Sequence, residues 1–351
     1  MTDNKKKIHV GVDIGGTKIA LGLVTAEGEC LQQKKFPTQR SKGADWLIAH
    51  VIHNIRELVQ QAGLPPEAVA SVGIGVPGTV EAATGNVVLA PSLGWQNVQM
   101  GRQIKTAFPA IPVYIEQDTK TAVLGEYFLC ADPSVSHLLF ITISTGIGSG
   151  LILDRKLYRG QLNSAGEIGH CIVERNGLPC SCGNRGCLQA YADGTAIAGA
   201  ACQRIKHGEQ STLTEVLSNG RLTALQVASA AEQGDSLARD VLLRAAEYVG
   251  IALANVISLL NLDLIIIGGG VAQSGAGFIE KIREVAENSC YPPARGSFRI
   301  VVTTHWDTNA IIGAGLLHNT AASENWISAT SKAGPVMRSQ TANATDSKIY
   351  S

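Results

Sequence analysis

This chain of 351 residues has little of three things, and each shortage removes a class of function. It has no excess of either charge: Lys plus Arg and Asp plus Glu both total 29, so the formal net charge is zero and no basic stripe marks a nucleic-acid face. The amino terminus, Met1-Thr2-Asp3-Asn4-Lys5-Lys6-Lys7, lacks the apolar core and small-residue cleavage site of a secretory leader, which predicts a cytoplasmic protein with reduced thiols. Uninterrupted apolar runs are also missing. The longest apolar stretch, Leu237 to Leu260, contains Arg239, Asp240, Arg244 and Glu247, so it reads as a long buried helix and no membrane partner is expected. From about Ser323 the chain turns to Ser, Thr, Ala, Lys and Gln without periodicity, which predicts a disordered tail over 323–351.

What is present is a large apolar fraction, 45%, enough for two domains and a cleft between them. Three of the eight cysteines crowd together with a histidine, as His170, Cys180, Cys182 and Cys187. Such a Cys₃His set closes a tetrahedron around zinc and leaves no position for water, so the expectation is a structural metal. The alternatives are buried cysteines or a disulfide pair. Against them, Gly177, Pro179, Gly183, Asn184 and Gly186 make the segment a tight loop with little apolar content. Glu167 lies one turn before His170, so a pinned histidine would also fix a carboxylate that can orient a polar substrate. Cys30, Cys130, Cys202 and Cys290, scattered singly, read as core residues.

Glycine punctuates the two halves in the same way. Residues Ile8 to Asp13 and Ile19 to Val24 read as strands around Ile14-Gly15-Gly16-Thr17-Lys18, followed by a strand from about Cys30 to Phe36. A helix follows from about Trp46, with Leu47, Ile48, Val51, Ile52, Ile55, Leu58 and Val59 on one face and Gly63 past its end. A buried strand, Ala70 to Val76, then stops at Pro77-Gly78. The pattern restarts with a strand at Leu138 to Ile143, the turn Ser144-Thr145-Gly146-Ile147-Gly148-Ser149-Gly150 and a returning strand, which predicts an internal duplication. Two such turns facing across a cleft would offer backbone N–H groups to nucleotide phosphates. A later buried strand, read from Leu262 onward, ends in Gly268, Gly269 and Gly270, where a flat base could approach the backbone.

The segment Asp13-Ile14-Gly15-Gly16-Thr17-Lys18 fits neither the P-loop nor the Rossmann spacing. It resembles the first phosphate motif of the actin and hexokinase superfamily. Together with Glu167-Ile168-Gly169-His170 and Cys180-Ser181-Cys182-Gly183-Asn184-Arg185-Gly186-Cys187-Leu188, it resembles the ROK family (repressors, open reading frames, kinases) over residues 8 to 318. The resemblance implies an α/β protein of two ribonuclease-H-like (actin-like ATPase) domains flanking a cleft, with a structural zinc loop. The smaller would span 1–120 and be rejoined by a helix at about 307–318, and the larger would span 121–306.

The same resemblance implies an ATP-dependent sugar kinase that phosphorylates the 6-hydroxyl of a hexose, glucose first. Asp118, after the strand at Val113 to Ile115, takes the general base's place; read alone, without the resemblance, it is better taken as a helix N-cap. Asp13 would hold Mg²⁺ through water. Gly15, Gly16, Thr17 and Lys18 would meet the transferred phosphate, although a lysine there is also an ordinary surface residue. Thr145, Gly146 and Gly148 would hold the other phosphates, and Gly268, Gly269 and Gly270 the adenosine. Gly78, Ser92, Gln117, Asp118, Glu167, His170 and Gln189 would surround the sugar, and a homodimer is implied. Gln117, Gln189 and Ser92 depart from the Asn, Glu and Asn common in the family. An amide at Gln189 both donates and accepts, which can re-select among sugar substituents, so an N-acetylhexosamine kinase is the alternative. A sugar sensor or repressor is the reading from another class. Only about seven residues precede the first strand, too few for a helix-turn-helix domain.

Overall fold

A computed structural model describes residues 7–81 and 83–322. Residues 1–6 and the tail expected over 323–351 lie outside the described residues. The first half runs β1 (Ile8–Ile14), β2 (Lys18–Thr25), β3 (Cys30–Pro37), α1 (Ala44–Gln61), β4 (Val69–Val76), β5 (Thr79–Glu81), β6 (Asn86–Ala90), β7 (Trp95–Val98), α2 (Met100–Ala107) and β8 (Val113–Gln117). Helix α3 (Asp118–Cys130) leads to β9 (Leu138–Ile143), β10 (Ile147–Leu153) and β11 (Lys156–Leu157). Then come α4 (Gln189–Ala192), α5 (Gly194–Lys206), α6 (Leu213–Ser218), α7 (Ala224–Glu232), α8 (Ser236–Leu260), β12 (Leu264–Gly268), α9 (Ala276–Ser289), β13 (Arg299–Val302), α10 (Asn309–Gly315) and α11 (Leu317–Ala322).

The duplication read from the glycine turns is present as topology. One sheet has the order β3-β2-β1-β4-β8 and the other β11-β10-β9-β12-β13. In each, an antiparallel meander is extended by two parallel strands: Val10 pairs with Leu23 and Val72, and Phe140 pairs with Gly150 and Ile266. The central strands β1, β4, β9 and β12 are buried almost throughout, which is why they read as unbroken apolar runs. Edge strand β3 instead alternates in exposure and carries Lys34 and Lys35 on opposite faces, Lys34 paired with Glu57 of α1 and Lys35 exposed, charges that discourage strand addition.

Helix α1 buries Leu47, Ile48, Val51, Ile55, Leu58 and Val59 against the first sheet, and Gly63, with φ +66, ends it as expected. Ile52 only joins the rim of that core, and Asn54 is buried in its stead. Helix α8 buries Val241, Leu242, Ala245, Val249, Leu253 and Ile257 in the second core, with α7 and α9. It is long and apolar enough to cross a membrane by length and composition. Here its apolar face is spent on protein. Of the four scattered cysteines only Cys290 is a buried core residue; Cys30, Cys130 and Cys202 are half-buried. The helix expected at 307–318 is divided at Leu316 (φ −88, ψ 0) into α10 and α11.

Helix α10 is seated by backbone contact. A Cβ on Gly11 would lie 1.9 Å from Ile311 O, and one on Gly73 would lie 1.8 Å from Ala314 O. It also crosses α3 through glycine, because a Cβ on Gly125 would lie 1.9 Å from Asn309 O and one on Gly313 1.8 Å from Thr121 O. On an open helix, Gly→Ala gains about 1 kcal/mol of propensity. Here the overlap is with backbone, which cannot rotate away. Gly313→Ala is therefore expected to destabilise the fold by about 3 kcal/mol or more, read as a fall in the urea midpoint; a midpoint that stays put or rises would mean the helices do not cross this closely.

Candidate active site

Helix α3 begins at the site. Its first turn is wedged between the sheets by glycines: a Cβ on Gly75 of β4 would lie 2.5 Å from Thr121 Oγ1, and one on Gly148 of β10 would lie 2.6 Å from Thr119 Cγ2. Asp118 thus stands at a helix N-terminus, where the backbone dipole favours a carboxylate. The cap reading is not what the structure has: Gln117 is the N-cap residue, Asp118 is the first helical residue, and its Oδ1 accepts from the N–H of Thr119 at 2.7 Å.

A cavity of 390 Å³ opens beside Asp118. Asp13 and Lys18 from the first glycine turn, Ser144 from the second, and Gly269 and Gly270 after β12 all line it. The two turns and the glycine run therefore meet, as the duplicated pattern predicts. Burial, then the nearby Asp118, push the Asp13 carboxyl up to about 7, with Lys18 opposing. Burial also pushes Asp118 up to about 6, with Glu167 adding repulsion while the Thr119 N–H and Lys120 oppose. Two such carboxylates and one lysine fit a divalent cation and a polyphosphate, which would relieve the repulsion. Thr119 Oγ1, also in the wall, is buried and has no hydrogen-bond partner among the described residues.

Several wall residues were not legible as site residues: Thr303, Trp306 and Asn309 also line the cavity. Thr303 and Asn309 are drawn onto α3 by buried Glu126, which accepts from Thr303 Oγ1 and, at 2.6 Å, from Asn309 Nδ2. Of the remaining glycines of the turns, Gly16 faces Ser92, since its Cβ would lie 3.5 Å from that of Ser92. Gly15 donates to Lys18 O and closes the turn, and Thr17 is exposed at its tip. Gly269 (φ +89) lies so close to Ile143 O that only glycine fits, whereas a Cβ on Gly270 would meet open space.

On the other side of Asp118, Gln117 Nε2 donates to Glu167 Oε1 at 2.9 Å. Glu167 precedes the short turn Ile168–His170, and its carbonyl accepts from His170 N at 3.0 Å. Gly78 (φ +91) is confined by Leu89 O, a turn position where a side chain has no room. Gln189 is turned toward the second glycine turn: its Oε1 accepts from Ile147 N at 3.2 Å and lies 3.3 Å from where a Cβ on Gly146 would be. Thr145 is linked to α5 through its carbonyl, which Thr195 Oγ1 approaches at 3.5 Å.

The ligand atoms of His170, Cys180, Cys182 and Cys187 all lie within 4.8 Å of one another. Cys180 Sγ is 3.6 Å from His170 Nδ1, and Cys182 Sγ is 3.7 Å from Cys187 Sγ. A zinc tetrahedron with Zn–S bonds of about 2.3 Å has edges of about 3.8 Å, so the donor set suits a metal. The cysteines are free, and burial followed by the neighbouring Cys182 and Cys180 pushes the Cys187 thiol up to about 12. A cation would reverse that shift. Nδ1 of His170 faces the sulfurs, which leaves Nε2 as the ring's other hydrogen-bonding atom.

Comparison with known proteins gives consistent neighbours. The ROK family profile matches residues 9–321. The glucokinase of Halalkalibacterium halodurans is 30% identical over 311 residues, 88% of this chain and 94% of that protein. The N-acetylmannosamine kinase of Yersinia pestis is 32% identical over 314 residues, 89% of this chain and 98% of the relative. The xylose repressor of Caldicellulosiruptor bescii is 31% identical over 304 residues, 87% of this chain and 76% of the repressor. Among solved structures, a ROK family glucokinase from Streptomyces griseus in complex with glucose and AMPPNP superposes with a TM-score of 0.75 at 30% identity, over 88% of this chain and 98% of that one.

Proposed function

The chain belongs to the ROK family, and on that premise we propose that it is an ATP-dependent sugar kinase acting on the 6-hydroxyl of a hexose, glucose first. The observation that carries the reading is the position of Asp118, between the cavity with Asp13 and Lys18 and the Gln117–Glu167 pair. Phosphoryl transfer needs positioning and charge neutralisation more than covalent chemistry. Asp118 accepts the proton of the sugar hydroxyl as its oxygen bonds to the γ-phosphorus of ATP and the bond from that phosphorus to the β,γ-bridging oxygen breaks, releasing ADP. Lys18 and the N–H of Gly16, with Thr17, receive the transferred phosphate, and Gly15, whose N–H closes the turn onto Lys18 O, shapes the loop that presents them. Thr145, Gly146 and Gly148 hold the remaining phosphates, and the run Gly268 to Gly270 meets the adenosine at Gly270, whose Cβ position faces open space. Asp13 would hold Mg²⁺ through water, and the ion would supply neutralising charge to the triphosphate.

The sugar's other hydroxyls meet Glu167, Gln117 and His170 Nε2, with Ser92 and Gly78 contributing from the first half. Zinc on His170, Cys180, Cys182 and Cys187 would hold the ring of His170 in place. The division into a unit of 1–120 rejoined by 307–318 and one of 121–306 sets these groups on opposite walls, so closure around the sugar would exclude water. A second reading, an N-acetylhexosamine kinase, is favoured by the likeness to the N-acetylmannosamine kinase of Yersinia pestis, 32% identical over 314 residues.

ADP release from Mg-ATP against glucose, mannose, fructose, allose, N-acetylglucosamine and N-acetylmannosamine tests the proposal. Glucose should stand above the rest; preference for an N-acetyl sugar selects the second reading, and no turnover with any sugar sinks both. Asp118→Asn is expected to cut kcat by at least about 10³-fold while sugar still binds, and intact turnover would remove Asp118 from the chemistry.

A raised carboxyl works as a base only once deprotonated. With Asp118 at about 6, log kcat/KM should fall by about one per pH unit below that value and level off above it. A flat profile down to pH 4.5 would deny Asp118 this role.

Elemental analysis should find one zinc per chain, and Cys182→Ala should lose it and raise the sugar KM about tenfold. A metal-free variant with unchanged KM would break the link between the loop and the sugar.

A further inference from the structure

Lys120 has no exposed surface, although an ammonium is among the costliest groups to bury. It lies on the first turn of α3. Its Nζ donates to Gln117 Oε1 and, at 3.0 Å, to Asn163 O. The neighbouring Glu116 does not need it. Glu116 Oε1 accepts from Gln117 N at 2.9 Å and Asn163 Nδ2 at 2.8 Å, and Oε2 pairs with Arg159 Nε at 2.7 Å. The charged groups around Lys120 are Glu116, Glu167, Arg159 and Asp118. Since Arg159 already balances Glu116, the carboxylates left for Lys120 are those of the site, Glu167 and Asp118.

An ammonium only donates, so Gln117 must turn its carbonyl to Lys120. The amide nitrogen then points the other way, and there Nε2 meets Glu167 Oε1 at 2.9 Å. With Lys120 gone, nothing on that side would stop the amide from flipping and setting its carbonyl against the Glu167 carboxylate. We propose that Lys120 is a positioning residue for the sugar: it fixes the orientation of the Gln117 amide, and through it the carboxylate of Glu167. The inference rests on the sugar-kinase reading and adds to it a residue that touches neither substrate.

Lys120→Met keeps the length of the side chain and removes its donors. It is expected to raise the sugar KM about tenfold, with kcat and the ATP KM within about threefold of wild type. Gln117→Glu keeps an oxygen for Lys120 but replaces the donor that faces Glu167, and it should raise the sugar KM comparably with the buried cation still present. In a Gln117→Met background, adding Lys120→Met should change the sugar KM less than about twofold. Equal effects on kcat and both KM values, or additive effects in the double variant, would overturn the proposal. If Lys120→Met does not fold, Gln117→Glu decides alone, and an unchanged sugar KM counts against it. Should the wild-type chain turn over no sugar, the kinase reading falls by itself. The variants are then judged by the glucose Kd from calorimetry, where no wild-type binding or an unchanged Kd in both variants overturns the inference.

Discussion

The structure depends on how closely backbone can approach backbone around α3. Gly75 and Gly148 admit its first turn between two sheets, and Gly125 and Gly313 let α10 cross it in direct main-chain contact. The hydrophobic cores on either side supply most of the stabilisation, but apolar burial has no direction. The glycine contacts supply position. They bring the N-terminus of one helix to where two glycine turns from duplicated sheets converge, and Asp118 stands at that end.

Two carboxylates at the floor of the cleft, Asp13 and Asp118, are raised by burial, Asp13 further by Asp118 and Asp118 further by Glu167. Left alone this is a destabilising arrangement, since both groups would be more comfortable in water. Its cost is local, and it is offset on one side by Lys18 and on the other by the Thr119 N–H and the buried Lys120, which is also joined through Gln117 to Glu167. The Cys/His cluster stands at the far end of the same line, joined to Glu167 through the turn Ile168–His170. On the proposed reading, the phosphate side and the sugar side are separate electrostatic problems that share one aspartate.

Much of this was legible in the sequence because the signals were local. Repeated strand, glycine turn, strand spacing gave the duplication, Gly63 the end of α1, and the four ligands their cluster. Lys120 was not legible, because a lysine on a helix normally reads as a solvated residue. The available signal was that α3 is apolar or small on every side, with Thr119 to Tyr127 buried, so a lysine inside it had nowhere else to go. Arg159, Asn163, Thr303 and Asn309 lie far from their partners in sequence, and only the fold brings them to Glu116 and Glu126. Gln189 was read toward the sugar, and the structure turns its Oε1 onto the backbone of the second glycine turn.

The crossing of α3 and α10 also bears on how this protein can vary. A contact made by main chain at Gly125 and Gly313 offers selection no side chain to adjust, so those positions are either kept or lost. Ser92 and Gln117 lie outside that crossing: Ser92 is exposed in the single turn Pro91–Leu93, and Gln117 ends β8. On the proposed sugar-kinase reading, single substitutions there would alter substrate preference while the seating of α3 stays fixed.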